Sequence, residues 1–148
     1  MSAALLDVNV LVALFEQEHL NHENAHEWFA AEGQRSWASC PLTINGCIRV
    51  LSRPRSPGPP LTLSEGASRL RDFCLQSNHQ FWPDDLSLLD ESRFKLKLIS
   101  GPKQLTDVYL LALAVERKGQ LVTFDRSIPW QAVPGAKASH LQILGALA

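Results

Sequence analysis

Neither sign of charge dominates this 148-residue chain: 14 Lys and Arg stand against 15 Asp and Glu, a formal balance of −1. That balance excludes a global electrostatic pull toward nucleic acid or an anionic membrane, so a polyanionic substrate would need a local basic patch or a bound cation. Cysteine is scarce. Cys40, Cys47 and Cys74 are odd in number and form no Cys-x-x-Cys pair, which excludes a disulfide framework or zinc knuckle and fits small buried thiols in a cytoplasmic protein. Long apolar runs are missing as well. The opening "MSAALLDVNVLVALF" has no basic flank, is broken by Asp7 and is too short to span a bilayer, so neither an export signal nor a membrane association is expected. Internal repeats and low-complexity tails are absent. With 45% apolar residues the chain suits one domain over residues 1–148 with one substantial core.

What is present is a rhythm of short apolar strands and helices. Residues 3–6 read as a strand stopped by Asp7, and Asn9 caps a helix carrying residues 10–15. Asn21 caps a helix over residues 22–32 ended by Gly33, residues 35–40 form a strand, and Pro41 opens a helix to about residue 52. "RPRSPGPP", residues 53–60, reads as a loop because proline removes donors and fixes φ. Thr62 and Glu65 make a capping box for a helix to about residue 76, followed by a strand at 79–82, turn acids Asp84 and Asp85, and a helix over 87–96. Thr106 caps a helix apolar on nearly all sides that stops at Gly119, and "QLVTF" is a buried-type strand ending at Asp125. Helices alternating with such strands predict an α/β sandwich, a central parallel sheet flanked by helices on both faces.

One short stretch suggests another chemistry. "HENAH", from His22 to His26, matches His-Glu-x-x-His, in which histidines on successive turns bind zinc and the glutamate serves as general base. Catalytic zinc needs a third protein ligand, and nothing nearby nominates one; the core face of this helix is Ala25, Trp28 and Phe29. The two histidines are expected on a solvated helix face, with a zinc peptidase as the alternative.

Three acids fall at more informative places. Asp7 closes the first strand, Asp107 opens the buried helix and Asp125 closes a late strand. In a parallel α/β sheet the functional crevice lies beyond the carboxyl ends of the strands, where helix N-termini also point, so acids distant in sequence can converge there. Singly, each has a bland explanation, since Asp favours helix starts and turns. Together they would repel unless a cation sat among them. Hard oxygen ligands with open water positions favour Mg²⁺ or Mn²⁺, which lowers the pKa of bound water and stabilises charge on a scissile phosphate. The predicted chemistry is phosphodiester hydrolysis. A two-aspartate phosphatase would carry a second Asp where this chain has Asn9.

"LLDVNVLVAL", "CPLTINGCIRVLSRP", "TDVYLLALAV" and "LVTFDRSI" together resemble the PIN-domain ribonucleases, specifically the VapC-type toxins of bacterial toxin–antitoxin modules, over nearly the whole chain. "HENAHEWF" resembles a packing helix found in one branch of them. The resemblance implies a PIN-like three-layer sandwich and a metal-dependent endoribonuclease acting on RNA such as tRNA or rRNA. It also implies a homodimer and inhibition by a cognate VapB-type antitoxin. By the same resemblance Asp7 and Asp107 hold Mg²⁺ or Mn²⁺, Asp125 helps position metal or water, and Asn9 and Thr123 support them. A catalytically silent PIN-fold binding module is the remaining alternative. Many PIN domains carry a Glu on the helix that here reads "LTINGCIRVL"; aligning on "IRVL" puts Gly46 there, which leaves Asn45 to act in its place or merely to let the helix pack closely. Arg49, Arg53, Arg55 and Arg126 are candidates for phosphate contact, with a solvated loop the competing reading for Arg53 and Arg55. Trp28, Trp37, Trp82 and Trp130 are expected mainly in the core.

Overall fold

The computed structural model describes residues 2–54 and 59–145. Five strands, β1 (Ala4–Leu6), β2 (Trp37–Ser39), β3 (His79–Phe81), β4 (Gln120–Thr123) and β5 (Leu141–Ile143), form one sheet in the order β3-β2-β1-β4-β5. All neighbours pair in parallel, with Leu5 opposite Ala38 on one side and Leu121 on the other. Five α-helices connect them: α1 (Val8–Phe15), α2 (His22–Ala31), α3 (Pro41–Leu51), α4 (Leu63–Leu75) and α5 (Leu105–Glu116).

Strand side chains alternate between faces, and here the alternation divides the interior into two cores. Leu5, Ala38, Cys40 and Leu121 join α5 on one face. Leu6, Trp37 and Val122 join the apolar faces of α1, α2, α3 and α4 on the other. The first face is covered by α5 and by the irregular segment at residues 82–99, whose Phe94 is buried against it. Helix α5 carries seven consecutive buried residues from Val108 to Ala114, which explains its unbroken apolar sequence.

Several boundaries differ from expectation for identifiable reasons. Asp7, not Asn9, caps α1: its carboxylate accepts from the Val8 N–H at 2.7 Å, and Asn9 lies exposed in the first turn. Helix α5 begins at Leu105 without a side-chain cap, because a short 3₁₀ turn at Pro102–Gln104 leads into it. Its far end is closed by Lys118 at φ 60°, while the Gly119 N–H returns to the Ala114 carbonyl, a C-terminal motif that places the left-handed residue one position before the glycine. Gly119 is needed for space instead: a Cβ there would collide with the Ala3 carbonyl oxygen. The helix expected over residues 87–96 does not form. Ser87 Oγ accepts from the Leu89 N–H, and Asp90 Oδ1 accepts from the Ser92 N–H and hydroxyl, local bonds that compete with a helical ladder. The capping box at Thr62 and Glu65 is present with both reciprocal bonds. Strand β5 was not anticipated, since "LQI" is short and only partly buried at the sheet edge.

Candidate active site

The carboxyl ends of β1 and β4 lie side by side because Leu6 pairs with Val122. Asp7 and Thr123 therefore leave the sheet at the same level, and the Thr123 hydroxyl donates to Asp7 Oδ2 at 2.9 Å. The same Thr123 oxygen accepts the Asp125 N–H at 3.0 Å. One fully buried hydroxyl thus ties together two acids separated by more than a hundred residues. Asp7 is itself buried, with Oδ1 on the Val8 N–H and Oδ2 on Thr123. Asp125 is held from its other side: Oδ1 accepts from the Ser127 N–H at 2.8 Å and the Ser127 hydroxyl at 2.7 Å. Ser127 escaped sequence reasoning, although "DRS" carries the Asp-x-Ser spacing of a side-chain-closed turn that could have revealed it.

Asp107, in the first turn of α5, completes the group and shares a hydrogen bond with Asp125. The cluster's electrostatics divide unevenly. Burial, then the Asp7 charge, then the hydrogen bond and charge of Asp125 push Asp107 up to about 7. Burial also raises Asp7, against the opposing bonds from Thr123 and Val8. Asp125 moves down instead, because the two Ser127 bonds stabilise its ionised form. The surroundings thus favour a proton on Asp107, shared with an Asp125 held in its ionised form. That proton relieves a repulsion which a bound cation would relieve as well, and the carboxylates offer hard oxygen ligands. Among the described residues no group of three or more His, Cys, Asp or Glu side chains forms a ready cage for a metal ion. The arrangement suits an ion held by few carboxylates, with water completing its shell.

Asn45 lies on the exposed side of α3, where Arg49 Nη2 donates to its Oδ1 at 3.4 Å. Its neighbour Gly46 is buried against α1: a Cβ there would sit 2.6 Å from Val8 Cγ2, so no larger residue fits without movement. Arg126 follows Asp125 on an exposed turn. Arg53 is committed elsewhere, gripping both oxygens of the buried Glu16 at 3.1 and 3.3 Å and donating to the Val50 carbonyl. Arg55 lies outside the described residues. Asp84 and Asp85 are more than turn acids: Asp84 Oδ2 accepts the Leu42 N–H at the start of α3, and Asp85 pairs with Arg117 at 2.8 Å. Trp28, Trp37 and Trp82 are buried, and Trp130 packs half-buried against the α5 core.

The histidines of "HENAH" stay on the outer side of the helix, His26 exposed and His22 half-buried, yet both are engaged. His22 Nδ1–H donates to the Ala13 carbonyl at 2.6 Å and His26 Nε2–H donates to the Leu14 carbonyl at 2.9 Å. Both acceptors belong to the last turn of α1, whose carbonyls have no partner within the helix. The i, i+4 spacing that mimics a zinc motif delivers two donors to two successive carbonyls.

Residues 4–133 match the family model of the PIN domain. The chain is 45% identical over 141 residues to ribonuclease VapC44 of Mycobacterium tuberculosis, covering 95% of this chain and 99% of the relative. To ribonuclease VapC38 of the same organism it is 40% identical over 125 residues, covering 84% and 86% respectively. Two solved structures share the fold. Mycobacterium tuberculosis VapC20, a Sarcin-Ricin loop cleaving toxin, superposes with a TM-score of 0.61 at 12% identity over 90% of this chain and 98% of its own. VapBC2 from Rickettsia felis, bound to a DNA fragment from its promoter, gives 0.57 at 14% identity over 95% and 98%.

Proposed function

Since the chain belongs to the PIN-domain family, among its VapC ribonucleases, we propose that it is the toxin of a toxin–antitoxin module and hydrolyses phosphodiester bonds in cellular RNA with Mg²⁺ or Mn²⁺. The observation that carries this reading is the Thr123 hydroxyl joining Asp7 to the Asp125 turn, with Asp107 sharing its proton beside them. Asp7 and Asp107 would hold the metal ion, which when bound would supply an activated water and charge neutralisation on the phosphate. Asp7 is oriented by Val8 and Thr123, and Asp125 is kept ionised by Ser127, so that it can accept a proton at the carboxylate it now shares with Asp107. Arg49 and Arg126 contact the phosphate backbone, compensating locally for the near-neutral total charge. Asn9 and Asn45 line the approach. The protein works in the cytoplasm as a single-domain homodimer, with a VapB-type antitoxin as its partner.

Incubating the purified protein with total RNA tests the reading. Cleavage is expected with Mg²⁺ or Mn²⁺ and none with EDTA. Cleavage indifferent to EDTA would overturn the metal assignment, and intact RNA under every condition would overturn the ribonuclease assignment.

A further inference from the structure

Beside the turn that holds Asp125 lies a cleft that the acids do not use. Its volume is about 310 Å³, and Arg126, Ser127, Trp130 and Gln131 line it together with Leu141 and Ile143 of β5. Chain connectivity and sheet register put it next to the acids. Ser127, a lining residue, holds Asp125 Oδ1 through its N–H and its hydroxyl. Ile143 is the register partner of Thr123, whose hydroxyl joins Asp7 to the Asp125 turn. The Gln104 amide donates to the Ser127 carbonyl at 3.0 Å, which ties the same turn to the segment that opens α5 and leads to Asp107. The walls are largely apolar. Leu141 and Ile143 alternate onto one face of β5, and Ile143 is 40% exposed. Trp130 is half-buried, packed against the α5 core while also lining the cleft. Its backbone is fixed: the Trp130 N–H donates to the Ile128 carbonyl at 2.9 Å, the Val133 N–H to the Trp130 carbonyl at 3.1 Å and the Lys95 N–H to the Ala132 carbonyl at 2.8 Å. A ring held in advance loses little freedom when a planar partner stacks on it.

We propose that this cleft seats the base of an unpaired nucleotide flanking the scissile phosphate, stacked on Trp130, with Arg126 at the adjoining phosphate. The inference rests on the ribonuclease reading for its substrate. The cleft lies at the lower end of the ~300–1,000 Å³ typical of small-molecule sites, which suits one base rather than a longer segment. Every base has a π face, so stacking on an indole senses that a base is unpaired and not which base it is. Within a duplex those faces are already covered by neighbouring bases, whereas bases of loops and single strands can splay out onto aromatic side chains. Arg126 is exposed and lines the same cleft, and on a chain of formal charge −1 a local cation beside the acids is what a polyanion meets. An amphipathic antitoxin helix needs apolar anchors along several turns; here the β5 wall supplies two side chains, flanked by Arg126 and Gln131. The cleft thus makes cleavage selective for single strands, with recognition and hydrolysis on neighbouring groups.

The test measures binding to the full-length protein in EDTA of a short unstructured RNA, of the same strand annealed to its complement, and of homo-oligomers of A and of U. The single strand should bind at least about tenfold tighter than the duplex, and the A and U oligomers within about fivefold of each other. Trp130→Leu keeps an apolar side chain against the α5 core but offers no π face; with folding confirmed by circular dichroism, it should weaken single-strand binding about tenfold, while Trp130→Phe stays within about threefold of wild type. Bound single strand should also quench tryptophan fluorescence, and most of that quenching should vanish in Trp130→Phe, a readout that does not depend on the leucine variant folding. With Mg²⁺ or Mn²⁺ present, Trp130→Leu should raise KM about tenfold and lower kcat by no more than about threefold. Equal affinity for single strand and duplex, binding indifferent to Trp130→Leu, or quenching that persists in Trp130→Phe overturns the proposal. So does a loss confined to kcat, which would mean that the substitution distorts the Asp125 turn, and so does unaltered RNA binding while Trp130→Leu loosens a co-expressed antitoxin. Trp130-dependent binding of single strands by a protein that cleaves no RNA with any divalent ion would instead sink the ribonuclease reading and leave the stacking site standing.

Discussion

Helix α1 has a polar cluster at each end, and the two make an instructive pair. At its N-terminus Asp7 meets Thr123 and Asp125 from the end of β4 and Asp107 from the start of α5. At its C-terminus His22 and His26, four residues apart, hold the Ala13 and Leu14 carbonyls, and Arg53 neutralises the buried Glu16. The contiguous pattern, which looks like chemistry on paper, is spent on closing a helix. The dispersed acids are instead drawn together, Asp7 held by the Val8 N–H and Thr123, and Asp107 hydrogen-bonded to Asp125. A motif written within one turn of helix needs only local geometry, and local geometry serves capping as well as catalysis. Convergence across a parallel sheet requires the topology itself, and carboxylates raised above their ordinary pKa chiefly by burial, as Asp7 and Asp107 are, are costly unless something binds there.

The comparison breaks hardest at the acids. Asp7→Asn should preserve the α1 cap, because Asn caps as well as Asp, and Asp107→Asn removes a charge without changing volume. Each should lower RNA cleavage by roughly 10²–10³-fold, equivalent to ~3–4 kcal/mol of lost transition-state stabilisation, with circular dichroism unchanged. Activity within a few-fold of wild type in either folded variant would return the cluster to the status of helix-start and turn residues.

Thr123→Val is next in size. It leaves Asp7 Oδ2 and the Asp125 N–H without their shared partner, a loss of ~1–3 kcal/mol in chemical denaturation. Cleavage should fall about tenfold as the two acids lose their common anchor. Thr123→Ser should recover most of both, whereas Thr123→Ser as damaging as Val would show that the hydroxyl alone does not anchor the acids.

How far these roles were legible in the sequence follows from the same contrast. The strands β1, β2 and β4, the capping box of α4 and the buried α5 were readable, because apolar period and cap chemistry are local signals. Asp7, Asp107 and Asp125 were readable by their places at strand ends and a helix start. The bridging role of Thr123 was not, since it depends on the register that sets Leu6 beside Val122. The Arg53–Glu16 pair was equally hidden, being set by the packing of distant elements. The helix expected over residues 87–96 failed for the opposite reason: Ser87, Asp90 and Ser92 closed local turns that apolar spacing alone does not reveal.

Acidity distinguishes the two ends in a third way. In the folded, metal-free protein Asp107 rises from an ordinary value of 3.8 to about 7, so the folded state binds that proton more tightly than the unfolded chain. Its stabilising contribution is full below the unfolded value and is lost as pH climbs through the folded one; Asp7, also raised, acts with the same sign. The melting temperature in EDTA should therefore rise by a few degrees between about pH 8 and about pH 5. Asp125, lowered instead, withdraws its contribution only at more acidic pH. Asp107→Asn should flatten the rise; an unaltered profile in that variant would move the titration elsewhere.

At the other end of α1, His22→Ala and His26→Ala should each cost ~0.5–1.5 kcal/mol of stability, the worth of one hydrogen bond to a helix-terminal carbonyl. Neither should change RNA cleavage by more than about twofold once folding is confirmed, since only positioning close to the chemistry carries larger effects. Stoichiometric zinc in the purified protein, lost in the double variant, would contradict the capping role and revive the peptidase.

The smallest effect is expected at Asn45, in contrast to its neighbour Gly46 on α3. Gly46 has no room for a side chain: Gly46→Ala drives a methyl toward Val8 Cγ2 at 2.6 Å, an overpacking that should cost ~1–3 kcal/mol. Because Val8 directly follows Asp7, the strain reaches the site through the start of α1. Asn45 differs in every respect. It is exposed and bonded only to Arg49 at 3.4 Å, so Asn45→Ala should leave stability within ~0.5 kcal/mol. If its amide helps orient metal-bound water or the Arg49 guanidinium beside the substrate, kcat/KM should fall about threefold and Mg²⁺ titration should shift modestly, because a neutral oxygen lacks the Coulomb attraction of a carboxylate. Unchanged kinetics and an unchanged Mg²⁺ titration would assign Asn45 to the scaffold and leave the site with the three aspartates alone.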